Sequence, residues 1–144
     1  MKFVFLVHVL VTWALVGLIW TIQQVHYPLF ARVGESVFPA YESAHTARIL
    51  VLVFPLMTIE LGTAFWLAIR PPAGIPAWWL WIGLVLVGII WLATAFVHVP
   101  QHARLSGGFD ADVHAALVTT NWLRTIIWSV RGVFVGWIMW QLLA

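Results

Sequence analysis

Six histidines stand in a chain of 144 residues that has no cysteine. Imidazole is the commonest metal ligand, can ligate haem iron, and moves protons near neutral pH. Five of the six are His26, His45, His98, His102 and His114, which flank long apolar stretches. Four of these five come from different helix ends, so they are expected to converge. Without thiols there is no disulfide, zinc–thiolate site, iron–sulfur cluster or cysteine nucleophile. No HExxH and no carboxylate run at metal spacing occurs. The candidate ligand set is therefore His26, His45, His98 and His102, for an iron or copper ion or for haem. A solvated imidazole bonded to a carbonyl is the plainer account of any one of them.

Arg48 and Arg124 are a second kind of candidate. A guanidinium holds a carboxylate or phosphate through paired donors, so near an interface the two arginines suit a haem propionate, a lipid headgroup or an acidic substrate. With Asn121 and Trp122 they are expected to orient a cofactor or substrate. The structural alternative pairs the arginines with Glu35, Glu42, Asp110 or Asp112. A third group is Glu60, Arg131 and His8, which interrupt apolar stretches. Unpaired polar groups cost several kcal/mol in hydrocarbon, and ionisable ones there are functional suspects. The chemical reading is a proton relay or catalytic charge; the structural reading is an ion pair locking two helices.

The elements that position these residues follow from composition. The chain is 63% hydrophobic and 8% charged, against about 25% charged residues in soluble domains. The net charge of +2 and the lack of a basic run exclude a nucleic-acid partner. The eleven tryptophans suit the two faces of a bilayer. Four segments reach the roughly 20 apolar residues that a spanning helix needs, at about 3–26, 45–69, 77–98 and 114–143. The expected fold is all-α, a single domain over 1–144 forming an integral membrane antiparallel four-helix bundle. The opening apolar run has no small-residue cleavage site and continues past Trp20, so it reads as an uncleaved first helix. Three connections remain, and the first and third lie on one side, the loop face. No internal repeat stands out, and Lys and Arg are too evenly divided to orient the chain.

At 100° per residue, His8 and His26 share a face of the first helix, with Thr12 and Gln23 close to it. Asn121, Arg124, Trp128 and Arg131 fall on one face of the fourth. Helical rise puts Glu60 and Arg131 at similar depth, with His8 within about a turn of them. The other polar residues, Gln23, His26, His45, Arg48, His98, His102, Asn121 and Arg124, form a layer at the loop face. Most tryptophans read as interface belt; Trp122 and Trp128 are the two candidates for lining a cavity.

The stretch from His98 to Gly132 resembles the ending of small four-helix bacterial membrane proteins related to the anthrone-oxygenase-like family. The likeness lies in His98, Pro100 and His102, then Asn121, Trp122 and Arg124, and covers about a quarter of the chain. It implies a buried site between helices at the loop face and oxidation of a hydrophobic, ring-bearing substrate. The first half is faintly similar to small four-helix protoporphyrinogen oxidases, through His8 and the stretch Tyr27-Pro28-Leu29-Phe30. That likeness implies haem or porphyrin ligation by His8, but the basic residues of that family's later helices are missing. The expected function is a membrane oxidoreductase acting on a lipophilic small molecule in a bacterial inner membrane. Two alternatives stand beside it: a non-enzymatic subunit of a homo-oligomer or larger membrane complex, and a proton-coupled carrier using Glu60.

Overall fold

Of the prolines inside apolar segments, two stand two residues after a histidine, in Val25-His26-Tyr27-Pro28 and Val97-His98-Val99-Pro100. A proline has no N–H for the carbonyl four residues back, and its ring crowds that carbonyl. The computed structural model, which describes residues 1–143, shows how both helices absorb this. Each takes one π-helical turn just before its proline, at Ile22–His26 and Thr94–His98. There the N–H of Tyr27 reaches the carbonyl of Ile22, and that of Val99 reaches Thr94, five residues back. The helices then continue.

The result is four long helices: α1 (Lys2–Phe30), α2 (Phe38–Ile69), α3 (Ala77–Leu105) and α4 (Ala111–Leu143). No strand occurs among the described residues. All four helices are long and apolar enough to cross a membrane. Each is longer than expected at the loop face, where α1 and α3 run on past His26 and His98 while α2 and α4 start before His45 and His114. The first and third connections shrink to residues 31–37 and 106–110. The extensions stay helical because they bury their own apolar cluster of Tyr27, Phe30, Phe38, Leu105 and Leu117. Asp110 caps α4 as its acidic start suggests, its Oδ1 accepting from the N–H of Asp112 at 2.9 Å and of Val113 at 3.0 Å. Gly74, at φ 84°, turns the short connection between α2 and α3 through a conformation that disfavours a side chain.

α1 packs on α2 and α4, and α3 packs on the same two. The interior holds the polar residues together with two further apolar clusters, one around Leu15, Met57, Ile90 and Trp128, the other around Phe5, Leu67, Val135 and Ile138. The outer faces are apolar: Phe3 and Phe96 are each 75% exposed and Val51 72%.

Candidate functional site

The π turns decide which side chains meet. One extra residue in a turn rotates everything beyond it, so the straight-helix reckoning that put His26 in line with His8 does not hold. Tyr27 points inward and is buried, while His26 is half-buried.

Tyr27 is the hub of the loop-face layer. Its hydroxyl lies 2.9 Å from His102 Nε2, and His102 Nδ1 lies 2.5 Å from Glu42 Oε1. Arg124 Nη2 donates to the same hydroxyl oxygen at 3.3 Å. One proton arrangement satisfies this chain with a neutral imidazole: Arg124 donates to Tyr27, Tyr27 to His102 Nε2, and His102 Nδ1 to Glu42. Glu42 is fully buried, and its Oε2 has no partner. Glu42 is thus held by His102 and not by Arg48 or Arg124. Behind Arg124, Asn121 Oδ1 accepts from Nε at 3.0 Å and from Nη2 at 2.5 Å. Gln23 Oε1 in turn accepts from Asn121 Nδ2 at 2.8 Å. Thr94 Oγ1 accepts from Arg124 Nη1 at 3.3 Å. All four helices contribute to the network. The buried guanidinium of Arg124 touches no carboxylate, because the ion pairs among the described residues are His102–Glu42 and Arg131–Glu60.

The four histidines expected to share a metal are distributed differently. His26 Nε2 and His45 Nδ1 are hydrogen-bonded to each other at 2.7 Å. The His45 ring centroid lies 5.6 Å from that of His102, whose nitrogens are both engaged. His98 Nδ1 bonds to the Ala93 carbonyl at 2.8 Å, a bond reaching five residues back across the π turn. Its Nε2 has no hydrogen-bond partner. His114 bonds the Tyr27 carbonyl at 2.8 Å and caps the end of α1. Among the described residues, no group of three or more His, Cys, Asp or Glu is arranged to hold a metal ion. The donor set as it stands does not fit one, since its nitrogens are largely spent on one another and on Tyr27, Glu42 and Ala93.

Glu60, Arg131 and His8 come together deeper in the molecule. Glu60 Oε1 accepts from Thr12 at 3.1 Å and from Arg131 Nε at 3.0 Å, and its Oε2 accepts from Trp128 Nε1 at 3.0 Å. Arg131 Nη1 donates to the Gly83 carbonyl, and Nη2 to His8 Nε2 at 3.3 Å. His8 Nδ1 then donates to Thr63 Oγ1 at 2.8 Å, since the Thr63 hydroxyl gives its own proton to the Ile59 carbonyl. Every polar atom of this group has a partner, and the group joins all four helices.

Between the two networks lies a cavity of about 410 Å³. Leu15, Leu18, Ile49, Val53 and Trp128 give it apolar walls, and Tyr27, Thr94, His98, His102 and Arg124 give it a polar one. Leu50 of α2 and Val99 of α3 also line it and are more than half exposed, so it opens sideways between those helices. Arg48 is not part of it. That residue lines a separate groove between α1 and α2, of about 340 Å³, with His26 and His45. Trp122 faces outward, edge to face on Trp20 at 5.7 Å, and Trp128 is the tryptophan that lines the cavity.

Sequence reasoning missed Tyr27, Thr94 as a partner of Arg124, and Glu42 as the partner of His102. The signal for Tyr27 was Pro28 after it, which reads as a helix end but marks a π turn here. Comparison with known protein families, with characterised proteins and with solved structures finds no match to this chain.

Proposed function

We propose that the chain is an integral membrane protein, an antiparallel four-helix bundle in a bacterial inner membrane, that admits a lipophilic, ring-bearing substrate sideways from the bilayer. It then exchanges a proton with the substrate's polar head, and the electrons of the oxidation or reduction pass to or from a separate redox partner, since the cavity residues can only bind the head and move its proton. The antiparallel reading is supported by pairs that join the end of α1 to the start of α2, His26 with His45, and the start of α1 to the end of α2, His8 with Thr63. The observation that carries the functional reading is the lateral cavity, apolar at its mouth and walled inside by Tyr27, Thr94, His98, His102 and Arg124.

Tyr27 is the general acid–base. His102 and Glu42 stand behind its hydroxyl as a base and an orienting carboxylate stand behind a catalytic hydroxyl. Arg124, held by Asn121 and Thr94, faces the place where negative charge develops and binds an oxygen acceptor on the substrate. Glu60, Arg131 and His8 do not line the cavity; they lie beyond Trp128, which does and which donates to Glu60, and they hold the helices in register. A low-dielectric cavity strengthens each of these interactions.

An alkyl naphthol tests the reading, because its emission distinguishes phenol from phenolate. Protein in nanodiscs is expected to retain the naphthol saturably above empty nanodiscs and to hold it as phenolate. Filling the cavity with Val53→Trp should lower retention by at least about tenfold, equivalent to roughly 1.4 kcal/mol. Tyr27→Phe and Glu42→Gln should retain the naphthol but leave it as phenol. Retention equal to that of empty nanodiscs would refute the reading.

A further inference from the structure

Arg48 belongs to neither network. It has no carboxylate partner among the described residues, where the two ion pairs involve other groups. Its surroundings change sharply along α2. Before it come Glu42, Ser43, His45 and Thr46; after it, residues 49–59 carry no charge. On the facing side of α1, Leu18 and Ile22 are followed by Gln23 and Gln24. Arg48 therefore sits where hydrocarbon gives way to polar headgroups, at the head of the groove between α1 and α2.

That groove, about 340 Å³, has two ends of different character. Leu18, Ile22, Ile49 and Leu52 line it on the apolar side; His26, His45 and Arg48 line it towards the loop face. His45 Nε2 has no hydrogen-bond partner. A cation and two imidazoles above an apolar slot match an amphiphile with an anionic head and an acyl chain. A basic pocket between helices near the headgroup level binds anionic lipid by attraction to the phosphate. Arginine suits this because its planar fork engages two phosphate oxygens at once.

We infer that the α1–α2 groove is a binding site for one anionic phospholipid, its phosphate on Arg48 and one acyl chain along Leu18, Ile22, Ile49 and Leu52. The inference rests on the membrane reading above. It does not depend on the substrate cavity, from which this groove is separated by the shared walls of Leu18, Ile22 and Ile49. The bound lipid covers the outer side of the His26–His45 pair and closes the bundle laterally on that side.

The test is native mass spectrometry of protein released from vesicles containing equal amounts of phosphatidylglycerol and phosphatidylcholine with identical acyl chains. Wild-type protein is expected to keep one phosphatidylglycerol about fivefold in preference to phosphatidylcholine, the contribution of one arginine near the surface. Arg48→Gln should abolish the preference, and Arg48→Lys should keep most of it. Ala44→Trp, which fills the groove, should reduce retention of both lipids. Glycerol phosphate added at the same concentration should not displace the lipid; displacement would mean that a free anion is the ligand and would overturn the proposal. Equal retention of the two lipids, or a preference unchanged in Arg48→Gln, would overturn it while leaving the membrane reading intact. Failure of the wild-type chain to enter vesicles at all would overturn both.

Discussion

Glu60 and Arg131 carry opposite charges into the middle of an apolar interior, and the arrangement around them shows what that requires. A buried ion pair is tolerable only when its remaining donors and acceptors are also satisfied, because desolvation of each ion is large. Thr12, Trp128, Gly83 and His8 supply those partners. Removing one charge strands the other. Glu60→Leu or Arg131→Met should each cost about 3–5 kcal/mol of stability, whereas the double substitution should cost much less than the sum. Equilibrium unfolding in detergent measures this, and additive losses would count against an obligatory pair. A proton carrier working through Glu60 would need that carboxylate to shed three donors in each cycle, which is why the loop-face network is the better site for proton movement. There the chain has slack: Glu42 Oε2, His45 Nε2 and His98 Nε2 have no partners. Arg124→Met should weaken binding of an oxygen-headed lipophile by about tenfold or more, since hydrogen bonds to charged groups contribute roughly 1.5–3 kcal/mol. Thr94→Val should weaken it less, because Thr94 carries no charge and holds only one arm of Arg124.

At the scale of the helices, the π turns are the devices that matter. Each inserts one residue ahead of a proline, and each shifts the phase of the segment beyond it. Before the turn in α1, His8 and Thr12 face inward; after it, Tyr27 does. An uninterrupted α-helix would leave Tyr27 about 100° away from His8. Deleting Gln24, whose side chain is exposed, removes the extra residue and rotates one set by about 100° relative to the other. Either the stripe of His8 and Thr12 or the Tyr27 hub then leaves the interior. The deletion should destabilise the protein by more than about 4 kcal/mol, a loss reached only when a buried network breaks. Gln24→Ala should stay within about 0.5 kcal/mol of wild type. Thermal unfolding of the two variants separates a register effect from a side-chain effect. The same logic applies in α3, where His98 reaches back five residues to the Ala93 carbonyl.

For the whole molecule, the outer faces of the helices are apolar, while the interior holds polar networks beside apolar clusters, unlike a water-soluble domain. Apolar patches on soluble monomers are usually limited to a few hundred Å², yet large residues such as Phe3, Val51, Phe96 and Val133 are exposed on all four helices. Helices of 29 to 33 residues exceed the roughly 20 needed to cross hydrocarbon; on the membrane reading proposed above, their ends and the loop-face network with them project into the headgroup layers. The absence of cysteine makes topology directly measurable. Glu35→Cys and Asp112→Cys should react with an impermeant maleimide from one side of a sealed vesicle, and Ala73→Cys from the other. Labelling of all three from one side would contradict a four-span topology.

Composition and hydropathy were enough to specify four apolar helices, because lipid-length runs and buried charge leave few alternatives. Depth counting along two helices also sufficed to bring Glu60 to Arg131, since the pair lies in segments where the α-helical period holds. The loop-face site was legible as a population of residues, His102, Asn121 and Arg124 among them, but not as a geometry. Tertiary packing decided that Tyr27 joins Arg124 to His102, that Glu42 takes a histidine instead of an arginine, and that Arg48 and Trp122 look elsewhere. For Tyr27 and His102 the physical reason is the π turn in α1 and in α3: one inserted residue costs little in hydrogen bonds, leaves only a proline as its mark in the sequence, and changes the direction of every side chain beyond it. For Arg48 and Trp122, on uninterrupted helices, it is which face the neighbouring helices cover.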